Sequence, residues 1–181
     1  MLKEDVETYV TRSKIIQTVQ FPYKGIAVAS WGGIHPDRRS TSGYCSFVWG
    51  NQVTWKSQKQ RVVSKSSAEA ELRALAQGIM EELWLKRVMC EIHVKVELPL
   101  KLYCDNKAAI SMALNPVQHE RSKHVEIDRH FIREKVEEGT ICLTFLPTHL
   151  QAADVLTKAL LKPAFESCIS KLDMINIYDP T

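Results

Sequence analysis

No stretch of this 181-residue chain approaches the ~18 consecutive apolar residues of a membrane span, so no membrane partner is expected. The N-terminus, MLKEDVETYV, has no apolar signal core, and secretion is not expected. There is no CxxC pair, no internal repeat and no low-complexity tract. The five cysteines, Cys45, Cys90, Cys104, Cys142 and Cys168, are odd in number and widely spread. That argues against a disulfide framework or a zinc site, and for buried, reduced thiols in an intracellular protein, cytoplasmic or nuclear. A strong excess of one charge is also missing: the formal net charge is +3 and the pI about 8.6, which permits a nucleic acid partner without demanding one.

What is present is an ordinary globular composition, 45% hydrophobic and 25% charged, at a length that suits one compact domain. Only seven glycines and seven prolines occur, so each is a usable boundary mark. Pro22 closes an ambiguous opening segment. GIAVASW reads as a buried strand, and GGIHPDRRSTSG as a turn. YCSFVWG alternates, with Tyr44, Ser46 and Val48 opposite Cys45, Phe47 and Trp49. A tight turn at NQ and a short strand VTW complete a hairpin through Gly50-Asn51. A long helix follows, from SSAEAEL to about Ile92. Its buried stripe is Leu72, Leu75, Ala76, Ile79 and Leu83, and Ser66 with Glu69 forms a capping box. LPLKLYC and TICLTFLP are strands, and NKAAISMALN and HVEIDRHFIREKVEEG are helices. THLQAADVLTKALL reads as a helix with Thr148 at its cap and Gln151 reaching back, and PAFESCISKL as a last helix after Pro163. The order β-β-β-α-β-α-α-β-α-α predicts an α/β mixed sheet of five strands, three antiparallel and then two parallel, with helices on both faces.

Three carboxylates stand out by position. Asp105 ends a strand, where ligands collect in open sheets with parallel strands. Glu71 and Asp154 lie in the first turns of their helices. Taken singly, each has a structural reading: dipole compensation for Glu71 and Asp154, a helix cap for Asp105.

The words around them change the balance. DRRSTSGYCSFVWG, WKSQKQRVVSKSSAEAELRALAQG, LYCDNKAAISMALNPVQHERSKHVEIDRHFIREKV and PTHLQAADVLTKAL occur in this order. Together they resemble the ribonuclease H domain of the Pol polyprotein of copia-type LTR retrotransposons, particularly plant copies. The resemblance covers roughly residues 25–161. It leaves residues 1–24 as a divergent N-terminal segment, unlike the reverse transcriptase that lies upstream in that family, and residues 162–181 as a C-terminal helix and tail. It implies a ribonuclease H-like fold in which four acids hold two magnesium or manganese ions and cut the RNA strand of an RNA–DNA hybrid. By motif, Glu71, Asp105 and Asp154 match three of those acids, and His149 is a candidate proton shuttle as well as a plain loop-end histidine.

The fourth acid is absent. The family usually reads Asp-Ala-Asp-Trp on its first strand. Here Val28, Ala29, Ser30 and Trp31 stand there. Residues 28 and 30 share one face of a strand, so that face is emptied of charge. Asp37 lies too far along the turn to substitute. Two divalent ions ~4 Å apart repel by on the order of 15 kcal/mol at an effective dielectric near 20. Four carboxylates balance them and three do not. The expectation is weakened metal binding and slow or absent cleavage, with a non-catalytic module binding nucleic acid or protein as the alternative. A pseudogene product with no selected role is a third possibility.

Other groupings carry less. His119, His124, Asp128 and His130 are close in sequence, but a local ion pair is the expected role of His124 and Asp128 rather than a metal site. Lys56, Lys59, Arg61 and Lys65 form one basic run, and Arg38 with Arg39 another. Lys56, Lys59, Arg61, Arg38, Arg39 and Asn106 are the candidates for contact with nucleic acid, alongside the reading of such runs as solvated loops. Trp49 and Trp55 are expected in the core. Leu72, where the family usually has tyrosine, is a packing change.

Overall fold

In the computed structural model, residues 23–31, 37–115 and 123–172 are described, with the side chain of Lys123 excepted. Five strands form one sheet in the order β3-β2-β1-β4-β5. They are β1 (Tyr23–Ser30), β2 (Thr41–Val48), β3 (Asn51–Lys59), β4 (Leu100–Cys104) and β5 (Ile141–Phe145). β1–β2 and β2–β3 are antiparallel, and β1–β4 and β4–β5 are parallel. The expected mixed sheet is therefore present. β1 begins at Tyr23, two residues ahead of the boundary drawn from sequence.

The two faces of β1 feed two different cores. Ala27 and Ala29 pack with Leu72, Leu75 and Ile79 of α1 (Ser67–Glu91), and with Val125 and Ile132 of α3 (Lys123–Glu137). Ile26 and Val28 face the other way, onto Cys45, Phe47, Tyr103, Ala152, Ala153 and Leu172. α2 (Lys107–Leu114) joins the first core through Ala109 and Met112. α4 (Lys162–Lys171), started by the proline after Lys162, lies at the edge of the second.

Local chemistry sets the boundaries. Ser66 caps α1 by accepting from the Glu69 N–H at 3.1 Å, while Glu69 reaches back to the Lys65 N–H. The β2–β3 turn is Trp49-Gly50, both at positive φ, two residues ahead of the expected NQ turn, and Asn51 and Gln52 already belong to β3. β3 is longer than VTW, so Lys56 and Lys59 belong to a strand rather than a loop.

The expected helix over 148–161 is not formed. Two short 3-10 turns, Thr148–Leu150 and Ala152–Leu156, stand in its place, and neither has a side-chain cap. Tertiary contacts explain the break. Gln151, 1% exposed, sends its amide Nε2 across to the Ala27 carbonyl at 3.3 Å. The Leu156 carbonyl turns outward to accept from Ser57 Oγ at 2.5 Å, and Leu156 with Thr157 closes over Gly43. Trp49 and Trp55, expected in the core, are instead 53% and 64% exposed, in the turn after β2 and in edge strand β3. Of the cysteines, Cys45, Cys104 and Cys168 are buried, Cys142 is half-buried and Cys90 is exposed, all as free thiols.

Candidate active site

β1 pairs with β4 only from Lys24 to Ile26, opposite Lys101 to Tyr103. Beyond that register the two strands part, although β1 stays paired with β2 to Ser30. The backbone groups that β1 turns toward the gap need other partners. From the α1 side, Glu71 Oε1 accepts from the Ala29 N–H at 2.8 Å. From the opposite side, Gln151 caps the Ala27 carbonyl. The crevice at the strand ends is thus lined by a carboxylate and an amide drawn from distant parts of the chain.

Asp105 follows β4 directly and is half-buried. It is not the cap of the next helix: Asn106 is, with its side-chain oxygen accepting from the Ala109 N–H at 3.0 Å. That leaves the Asp105 carboxylate to the crevice. Glu71, Cys104 and Asp105 each place one ligand atom within 4.8 Å of the others. Cys104 went unrecognised as a site residue. Its only sequence signal is its position before Asp105, and the pleat turns it toward α1 while Tyr103 faces the second core. Its Sγ lies 3.9 Å from Glu71 Oε2 and accepts from the Asn106 N–H at 3.3 Å.

Asp154 is buried, and its Oδ1 is held by Lys158 Nζ at 2.7 Å. Burial pushes the Glu71 carboxyl up to about 8; the Ala29 N–H opposes this, Asp105 adds to it, Lys158 opposes it and Asp154 adds to it. The three acids therefore share one electrostatic neighbourhood. Burial, with the Glu71 carboxylate next, also raises the Cys104 thiol. His149 is exposed, and its backbone carbonyl accepts from Lys171 Nζ.

Val28 is completely buried beside Ala152 and Ala153, and Ser30 is half-buried at the strand end. No carboxylate comes from this strand. Asp37 is engaged elsewhere, 2.9 Å from Arg39 Nε and 3.8 Å from Lys59 Nζ. The donor set fits one divalent ion, held by Glu71 and Asp105 with the Cys104 sulfur adjacent. Val28 offers no oxygen to a second ion, and the Asp154 Oδ1 is paired with Lys158.

The candidate nucleic acid contacts fall into separate groups. Lys56 and Arg61 line a cavity of about 430 Å³ between β3, α1 and α3, together with Gln58, Arg73 and Asp128. Arg39 and Lys59 are engaged with Asp37, and Arg38 beside them is exposed at positive φ. Asn106 adjoins Asp105 as the α2 cap. Asp128 has its carboxyl raised by burial, opposed first by Arg73 and then by His124, so Arg73 is the nearer cation in effect. His130 lies 3.9 Å from Glu126, and His119 falls outside the described residues.

No protein-family model matches the chain. It is 38% identical over 149 residues to the retrovirus-related Pol polyprotein from transposon RE1 of Arabidopsis thaliana, covering 82% of this chain and 10% of that protein. It is 33% identical over 145 residues to the corresponding polyprotein from transposon TNT 1-94 of Nicotiana tabacum, covering 80% of this chain and 11% of that protein. The chain thus spans about a tenth of the length of these curated relatives. Among solved structures it resembles LC11-RNase H1 in complex with an RNA/DNA hybrid, at TM-score 0.55 and 14% identity, covering 79% of this chain and 99% of that one. It also resembles the N-terminal RNase H domain of a Mycobacterium tuberculosis protein, at TM-score 0.53 and 15% identity, covering 80% and 97%. At these identities the likeness to solved structures concerns the fold.

Proposed function

Because this chain is a ribonuclease H-like domain of the copia-type retrotransposon Pol kind, we propose that it binds RNA–DNA hybrids at the Glu71–Asp105 crevice and cleaves them very slowly or not at all. The observation that carries this reading is Val28: a fully buried aliphatic side chain stands where the resemblance to copia-type domains calls for a first-strand aspartate. Glu71 and Asp105 would hold a single magnesium or manganese ion weakly, and such an ion would supply an activated water. Asp154 is the third acid of the set, and His149 is the proton-shuttle candidate. Binding would rest on the phosphate contacts of Lys56, Arg61 and Arg38, with Arg39, Lys59 and Asn106 beside them, and would fall steeply with salt. The alternative, a module that binds nucleic acid or a protein without any cutting, is favoured by the Asp154–Lys158 pair, which satisfies one acid without metal.

The test is incubation of the purified chain with a labelled RNA–DNA hybrid and magnesium or manganese, beside Asp105→Asn. Cleavage at the background level in both, with salt-sensitive binding retained, is the expected result. Rapid wild-type cutting that Asp105→Asn abolishes overturns the impaired-site reading.

A further inference from the structure

Trp31 directly follows β1, and the residue is 52% exposed. It is nonetheless fastened. Its indole Nε1 donates to the Ser64 carbonyl at 3.0 Å, in the loop ahead of α1. The Ser64 hydroxyl donates to Gln60 Oε1 at 2.8 Å. Gln60, 2% exposed, donates in turn to Ser42 Oγ and to the Ala70 carbonyl, both at 2.8 Å. Ala70 is the residue before Glu71, and Glu71 returns to β1 at the Ala29 N–H, two residues before Trp31. A closed circuit of hydrogen bonds therefore fixes the exposed ring relative to the carboxylate of the candidate site.

The other three tryptophans differ. Trp49 leans on Tyr23 with ring centroids 6.1 Å apart, Trp55 lies within β3 and Trp84 on the exposed side of α1. None is wired to the Glu71 turn by the bonds that hold Trp31. An aromatic ring left half in water forgoes burial that would stabilise the fold. Held in place two residues along the chain from the Ala29 N–H that Glu71 accepts, it is pre-organised to take a flat apolar partner with little further loss of freedom.

We propose that Trp31 is a stacking platform for the nucleic acid strand at the Glu71–Asp105 crevice, receiving the face of a base or sugar. This rests on the hybrid-binding reading above and adds a residue to it. Every base has a π-face, so the contact adds affinity without sequence preference. It complements the phosphate contacts, which fade with salt, by a term that does not.

The experiment uses the full chain with Trp49→Phe, Trp55→Phe and Trp84→Phe, which leaves Trp31 as the single tryptophan of the original four. A short fluorescein-labelled RNA–DNA hybrid is titrated in EDTA, with binding read by anisotropy and stacking by quenching of the Trp31 emission. Expected are binding with quenching, and affinity weakened about tenfold by Trp31→Ala but within about twofold for Trp31→Phe, which keeps a stacking ring and loses the indole N–H. Binding without quenching, unchanged in Trp31→Ala, overturns the platform and leaves the hybrid-binding reading standing. Equal weakening in both variants with a matching fall in melting temperature makes the ring a structural plug and overturns the proposal. Failure of every variant, wild type included, to change the anisotropy overturns the hybrid-binding reading and the platform with it.

Discussion

Glu71 and Glu82 are eleven residues apart on α1, close to three whole turns, so both point at the same sheet. Both are buried, at 4% and 1% exposure, and burial raises both carboxyls, to about 8 and about 7. What they meet is different. Glu82 arrives where β1 is paired on both sides, at Gly25 between Ser46 and Leu102. It accepts from Ser46 Oγ at 2.7 Å and occupies the space of a missing side chain: a Cβ on Gly25 would lie 2.4 Å from its Oε1. Glu71 arrives where β4 has parted from β1, and there it meets a free backbone N–H, a thiol and a second carboxylate. The same residue type on the same face is sealed into the core in the middle of the helix and faces a candidate site in its first turns. Sheet pairing makes the difference.

The strongest way to break this comparison is to charge the splayed end. Val28→Asp, with Ser30→Asp, puts carboxylates where the crevice can hold metal. Without metal the buried charge should lower stability by roughly 3–5 kcal/mol. Magnesium should restore much of the loss and raise the melting temperature of the variant far more than that of wild type. Equal shifts in the two proteins would show that Val28 was not the missing group. Hybrid cleavage should also appear in the double variant if the rest of the scaffold is intact.

At the closed end, Gly25→Ala forces its methyl against Glu82 Oε1 and against Leu102, which a Cβ would approach to 2.9 Å. A loss of roughly 1–3 kcal/mol in urea unfolding is expected, with hybrid binding unchanged. The pH dependence sharpens the same point. The folded Glu82 carboxyl titrates near 7 rather than the ordinary 4.5, so the folded protein keeps a proton that the unfolded chain releases earlier. The stability it contributes is full below about 4.5 and is lost as pH rises through about 7. Glu82→Gln should flatten the fall in stability between these values, measured by urea unfolding across that range. An unchanged slope would mean that Glu82 is not buried as described. The smallest effect is at the cap beside the site: Asn106→Ala should cost about 1 kcal/mol, seen as an earlier urea midpoint.

Much of the fold was legible from periodicity. The apolar stripe Leu72, Leu75, Ala76 and Ile79 is buried as the 3.6-residue spacing requires, and Leu83 packs at its border. The capping pair Ser66 and Glu69 starts α1 as read. Three acids were picked out, and two of them, Glu71 and Asp105, come together at the strand ends. What escaped was local pattern overruled by distant partners. The segment from Thr148 has the composition of a helix, yet Gln151 serves the Ala27 carbonyl and Leu156 serves Ser57, and a regular helix cannot meet both. Trp49 and Trp55 look like core residues in a one-dimensional reading, but Trp49 lies in the β2–β3 turn with only Tyr23 named against its ring, and Trp55 in edge strand β3, and both stay more than half exposed.

The chain alone determined the order of the five strands and of the helices from α1 to α3, and the buried stripe of α1, because side-chain period and residue identity are local properties. The tertiary structure decided which carboxylates converge, that Cys104 joins them and that Trp31 is anchored in the open. Each of these depends on where two strands stop pairing. That is set by the packing of α1 on one side and the 3-10 turns on the other, and no single segment of sequence encodes it.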